Sequence, residues 1–187
     1  MSTLPALRRT DREMTRVEMI DAIARGRCGR VASVGKDGWP YCVPLLYALL
    51  DGQIYVHGTA ARGHFRTNID ASEKVCFEID ESGPVFAYGR FECDTTVAYQ
   101  SVIVFGTIRV IDDLRTKRRF FDSLMGKYAQ PSWQRPKGFY PRIDAITVYA
   151  IEIVRMSGKR LTLPLLDQQW PAKDRTMTPN AQPDELV

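Results

Sequence analysis

Pro40-Tyr41-Cys42-Val43-Pro44-Leu45-Leu46-Tyr47-Ala48-Leu49-Leu50-Asp51-Gly52-Gln53-Ile54-Tyr55-Val56-His57-Gly58 is the stretch on which the fold turns. The run from Pro40 to Leu50 is apolar and rich in β-formers, Asp51-Gly52 is a two-residue hairpin signal, and Gln53 to Gly58 resumes as a strand. Both alternating sets of the first strand are apolar: Tyr41, Val43, Leu45, Tyr47 and Leu49 on one side, Cys42, Pro44, Leu46, Ala48 and Leu50 on the other. A strand with one solvated face alternates apolar with polar, so this one needs cover on both. A second copy of the chain is the simplest cover, and an internal helix is the competing one.

Upstream, Thr15-Arg16-Val17-Glu18 reads as a capping box opening a helix, with Val17, Ile20 and Ala24 on one face and Gly26 as its stop. Arg30 to Gly35 reads as a short strand, and Lys36-Asp37-Gly38-Trp39 as a turn. Downstream, a short helix is predicted from about Gly63 to Ala71, then a strand over Lys74 to Asp80. Val97 to Asp112 is a long apolar stretch broken by Gly106, as a bulge in a curved sheet would be. Asp113 to Ala129 is an amphipathic helix with Phe120, Phe121, Leu124, Met125 and Tyr128 on one face, stopped by Pro131. Ala145 to Met156 is the last strand. This pattern predicts a mainly β (α+β) protein of about six antiparallel strands with a few helices, closed into a small barrel that hides its edges. Residues 1–13 form a polar N-terminal arm, 14–158 the domain, and 159–187 an extended C-terminal tail in which Trp170 could cover a pocket.

The chain has 187 residues, 44% hydrophobic and 26% charged, with a net charge of +4 that is too weak to argue for nucleic acid. The basic run Arg115-Thr116-Lys117-Arg118-Arg119 lies on the predicted helix and reads as a solvated face. Cys28, Cys42, Cys76 and Cys93 have no metal or redox spacing and read as buried thiols in a reducing compartment. No signal peptide is visible, and no apolar run approaches the ~20 residues of a membrane span, so the expected location is the cytoplasm.

Chemistry concentrates where the hairpin runs into the next helix: His57-Gly58-Thr59-Ala60-Ala61-Arg62-Gly63-His64-Phe65-Arg66-Thr67-Asn68 holds both histidines and two arginines. A strand-to-helix junction offers free N–H groups and the positive end of a helix dipole, the ingredients of an anion site. Arg62 and Arg66 add forked donors, His64 a ring N–H, and Gly58 and Gly63 allow close backbone approach, while Asn68 could brace the loop. An ordinary surface loop is the plain alternative. The chain has no nucleophile elbow, phosphate-binding P-loop or dinucleotide fingerprint, and no metal-ligand motif accompanies the histidines. A triad built from Ser101, a histidine and an aspartate is open in principle, because triads are defined in space.

Several blocks occur in a fixed order: Gly29-Arg30-Val31-Ala32-Ser33-Val34-Gly35, then Asp37-Gly38-x-Pro40-Tyr41-x-Val43-Pro44-Leu45, Ile54-Tyr55-x-His57-Gly58, Val75-Cys76-Phe77-Glu78 and Tyr99-x-Ser101-Val102-Ile103-x-x-Gly106. Together, over roughly residues 25–155, they resemble the pyridoxamine 5′-phosphate oxidase-like FMN-binding split barrels, and more narrowly the branch of the 5-nitroimidazole-resistance proteins. The resemblance implies a six-stranded antiparallel split β-barrel, with FMN in a groove between the subunits of a homodimer. It implies that the flavin ring lies against Val43, Pro44 and Leu45. It implies that the phosphate is held by Arg30, beside Val31, and by the loop after His57-Gly58, with Ser101 and Val102 contributing from a later strand. His57 matches a histidine placed near the flavin and linked to activity. The chain departs from its relatives at His64, where many carry lysine; an imidazole carries less charge than an ammonium near neutral pH, which shifts the grip toward Arg62 and Arg66.

The function this implies is an FMN-dependent oxidoreductase that reduces a small electrophilic substrate, a nitro-aromatic or a free flavin, with NAD(P)H as donor. No catalytic dyad is needed, because a flavin carries out the redox chemistry. A non-catalytic flavin store, or the same barrel holding haem or deazaflavin, is the alternative. Oxidation of pyridoxamine phosphate is disfavoured, since no further cluster for a substrate phosphate is visible.

Overall fold

The computed structural model describes residues 7–89 and 92–165. In chain order its main elements are α1 (Arg16–Arg25), β1 (Gly29–Val34), β2 (Pro40–Leu45), β3 (Tyr47–Leu50), β4 (Gln53–Thr59), α2 (His64–Ala71), β5 (Lys74–Ala87), β6 (Thr95–Ile111), α3 (Leu114–Tyr128) and β7 (Ile146–Leu161). All strand pairs are antiparallel, in the order β2-β1-β5-β6-β7-β4-β3. There are seven strands where six were expected, because the Pro40–Leu50 run divides at Leu46.

That division explains the barrel. The two edge strands of the sheet, β2 and β3, are consecutive in the chain and joined only through Leu46. The covalent link holds the ends of both edges together, so the sheet must curl, and the barrel stays split because β2 and β3 do not pair. The two halves of the run also find different cover. Ala48 and Leu50 of β3 pack in the cluster around Phe120, Phe121 and Leu124, so an internal helix, α3, covers this half. Cys42, Pro44 and Leu46 remain exposed, so the β2 half stays uncovered.

Local chemistry sets the element ends. The Thr15 Oγ1 accepts from Glu18 N at 3.3 Å while the Glu18 carboxylate accepts from Thr15 N at 2.8 Å, the expected capping box. The buried face of α1 is Met19, Ala22 and Ile23, not the expected one; Val17 is 78% exposed. Both sets satisfy helical spacing, and the barrel buries Met19 and Ile23 while Ile20 is half-buried and Ala24 exposed. Asp51 and Gly52 both adopt positive φ, at 51° and 75°, the turn that matches the twist of a two-residue hairpin. At Gly106 the β6–β7 register shifts, and an added Cβ would lie 2.4 Å from Glu152 O, so this bulge depends on glycine.

Inside the barrel, Val31, Ile54, Val56, Phe77, Val102, Val104 and Ile151 are fully buried. The α1 face packs on them, and the Tyr47 hydroxyl donates to Ile23 O at 2.6 Å. Met14 is buried and its N–H donates to Gly158 O, and β7 continues to Leu161, past the strand end expected at Met156. The thiols are not buried as expected: Cys28, Cys42 and Cys93 are exposed and Cys76 half-buried, because Cys42 and Cys76 lie on the outward face of the sheet. Trp170 lies outside the described residues.

Candidate functional site

The expected site residues fall into three groups. The first is on the β1–β2 hairpin and its neighbours. Arg30 stands opposite Pro44, Val31 opposite Val43, and Gly29 opposite Leu45. Val43 and Leu45 face the core, whereas Pro44 faces out on an edge strand, the position where a missing N–H costs the sheet nothing. The Arg30 guanidinium reaches Glu78 at 3.1 Å and Asp80 at 2.5 Å. Asp80 in turn pairs with Ser101 across β5 and β6, so Arg30 and Ser101 share one outer face. Burial lifts the Glu78 carboxyl above its ordinary range while Arg30 pulls it down. Val31 and Val102 are fully buried in the barrel, so only their backbone could meet a ligand.

The second group surrounds the N-terminus of α2. Gly63 is the cap, with no side-chain hydrogen bond to the first turn, and its φ of −97° is open to any residue. A Cβ there would meet nothing within 4 Å. Nothing in the described chain therefore needs glycine at this position, and the backbone lies open to an approaching group. Arg62 and Arg66 both bond the carboxylate of Asp70, Arg66 at 2.8 Å. His64 stacks on Tyr41 of β2 with ring centroids 4.1 Å apart. Asn68 is buried, and its Nδ2 donates to Ser33 Oγ of β1 at 3.2 Å. These contacts carry the segment from the end of β4 across to the β1–β2 hairpin, joining residues the sheet order keeps far apart.

Charge balance separates the two groups. Arg30 is one cation between two carboxylates, so a phosphate there would have to displace an anion. Arg62 and Arg66 are two cations on one carboxylate, beside an uncapped helix end that adds roughly half a positive charge. The α2 terminus therefore carries the more positive balance of the two. The opposing carboxylates at Arg30 could not be read locally, because Glu78 and Asp80 lie on a strand distant in sequence.

The third group is His57, with Gly58 beside it on β4. Its imidazole turns away from the barrel interior toward α3, with ring centroids 5.7 Å from Phe120 and 5.8 Å from Phe121. Its Nδ1 is buried with no hydrogen-bond partner among the described residues, and burial lowers its pKa below the usual 6.5. Among the other aromatic residues considered, Tyr47 is core and Trp39 is 74% exposed. The described residues bring together no three His, Cys, Asp or Glu side chains that could hold a metal, and no described helix is long and apolar enough to cross a membrane.

Around the α2 terminus two guanidinium forks flank a helix end whose backbone is unhindered. Solved structures share this fold. A candidate 5-nitroimidazole antibiotic resistance protein from Bacteroides thetaiotaomicron is 19% identical with a TM-score of 0.65, over 79% of this chain and 85% of that one. A FAD-binding protein from Mesorhizobium loti is 24% identical with a TM-score of 0.60, over 81% and 98%. A flavocytochrome from Azotobacter vinelandii is 20% identical with a TM-score of 0.72, over 97% and 89%. No curated protein matches the sequence significantly. The sequence model of the pyridoxamine 5′-phosphate oxidase family matches residues 15–160, and this chain belongs to that family.

Proposed function

We propose that this protein binds FMN and uses it to reduce a small electrophilic acceptor, a nitro-aromatic or a free flavin, with NAD(P)H as donor. The observation that carries the reading is the α2 terminus, where Arg62 and Arg66 share one carboxylate beside an uncapped, sterically open turn. In this reading Arg62 and Arg66 grip the phosphate in place of one bond each to Asp70, with His64 seated on Tyr41 as a third donor. The uncovered outer face with Cys42, Pro44 and Ile103, beside Arg30 and Ser101, is assigned to a second subunit, so that the ring lies between β2 and the partner. Flavin, when bound, supplies the hydride and electron transfer; the chain binds it, orients it and keeps water away. His57 is assigned to the ring end, where burial keeps the imidazole neutral and its unpartnered Nδ1 free to hold a proton. Four thiols without a disulfide suit a reducing, cytoplasmic setting.

The test is the visible spectrum of the protein as purified, followed by titration with FMN. Flavin bands, or uptake at micromolar FMN that weakens about tenfold or more in Arg62→Ala and His64→Ala, are expected. Absence of both bands and uptake would sink the reading, and unchanged uptake by both variants would sink the phosphate assignment. Turnover of NAD(P)H with a nitro-aromatic separates a reductase from a flavin store. A Soret band in place of flavin bands would support haem, a group that a similar structure from Mycobacterium smegmatis is named for binding beside FAD.

A further inference from the structure

A cavity lies beside the phosphate turn that no part of the flavin reading uses. Its walls are Phe121 of α3, Ile146 at the start of β7, and Phe139, Tyr140, Arg142 and Ile143 from the intervening segment, and its volume is about 200 Å³. The position is tied to the site in two ways. Ile146 stands opposite Thr59 at the end of β4, and Ala60 N donates to Ala145 O at 3.2 Å. Phe121 touches both His57, at 5.8 Å between centroids, and Tyr140, at 5.3 Å.

The size of the cavity decides what fits. It is a groove open to solvent on one side, with Phe139 and Arg142 exposed at its edge, and it is smaller than the roughly 300 Å³ at which pockets for drug-sized ligands begin. One aromatic ring with a substituent fills it, and the three fused rings of a flavin do not. The aromatic walls favour a planar guest. Tyr140 is held in place through its hydroxyl, which donates to Asp122 at 2.7 Å. Arg142 is exposed at the rim and makes no ion pair with any described residue, so its fork is available to an anionic substituent.

We infer that this cavity is a subsite for a single-ring aromatic compound bearing an acidic substituent, with the ring among Phe121, Phe139 and Tyr140 and the anion on Arg142. Its assignment as the acceptor subsite rests on the flavin reading; its existence as a binding site does not.

The test uses 4-nitrobenzoate and nitrobenzene as probes, with cyclohexanecarboxylate as a non-planar control. Binding to the full chain is followed by calorimetry and by amide shift changes. The expected result is binding of 4-nitrobenzoate with shifts confined to residues 139–146 and their neighbours on α3. Arg142→Ala should weaken 4-nitrobenzoate about tenfold and leave nitrobenzene within about twofold, and Phe139→Ala should weaken both. Both side chains are exposed, so neither change threatens the fold. No binding at millimolar probe, equal binding of the control, or shifts elsewhere would overturn the inference. FMN uptake is measured on the same samples. Loss of uptake with probe binding intact defeats the flavin reading alone, and intact uptake without probe binding defeats the subsite alone.

Discussion

Replacing Lys127 with methionine is expected to stabilise this protein at neutral pH. Lys127 sits in the last turn of α3 with its Nζ 3.6 Å from the centroid of the buried Tyr47 ring, and that Nζ is itself buried with no hydrogen-bond partner among the described residues. Burial pulls its pKa from the ordinary 10.5 down to about 8. Taken at face value, about 1.4 kcal/mol per unit would make the buried ammonium cost roughly 3 kcal/mol. The side chain is only half-buried, so solvent screening reduces that to roughly half. The face-on contact with Tyr47 returns about 0.5–1 kcal/mol. A net gain of about 1 kcal/mol is left for Lys127→Met, whose flexible thioether fills the same space. The pH dependence has a definite sign. Between about 8 and 10.5 the unfolded chain binds more protons than the folded one, so wild-type stability rises with pH in that window. Tyrosine opposes this at the alkaline end, since burial raises the Tyr47 hydroxyl and favours its neutral form. Burial also raises the Cys76 thiol, which opposes the lysine in the same range, so the lysine is read from the difference between wild type and variant in urea unfolding followed by circular dichroism between about pH 7 and pH 9.5. The variant should start more stable and show a flatter profile. Destabilisation by about 1 kcal/mol at pH 7, or equal slopes in the two proteins, would refute the argument.

Three further outcomes are expected. Gly106→Ala would place a Cβ 2.4 Å from Glu152 O and 2.6 Å from Ile151 Cγ2, so about 1–3 kcal/mol of stability should be lost, and an unchanged urea midpoint would count against the bulge geometry. Burial holds His57 neutral, so the unfolded chain takes up more protons as the pH falls below 6.5 and stability is lost on that side; His57→Phe should flatten this part of a pH–urea profile. FMN should bind more tightly than riboflavin, with the difference shrinking at high salt and in the Arg62→Ala/Arg66→Ala double variant, because in the proposed reading the phosphate alone engages those side chains; equal binding of the two flavins would contradict it.

Features that depend on near neighbours were legible in the sequence. Thr15 and Glu18 form their capping box, Asp51-Gly52 makes its turn, and Phe120, Phe121 and Leu124 share the buried face of α3. The clustering of Arg62 and Arg66 at a strand-to-helix turn belongs with them, since these residues lie within a few positions of one another. Only the tertiary structure divided the Pro40–Leu50 run at Leu46 and covered one half with α3. It alone set Arg30 between Glu78 and Asp80, turned His57 under Phe120, and stacked His64 on Tyr41. Alternation says that a side chain has two possible faces, not which strand lies beside it. Register between strands far apart in the chain is chosen by the packing of the whole barrel, and that choice sets each site residue's neighbours and local field.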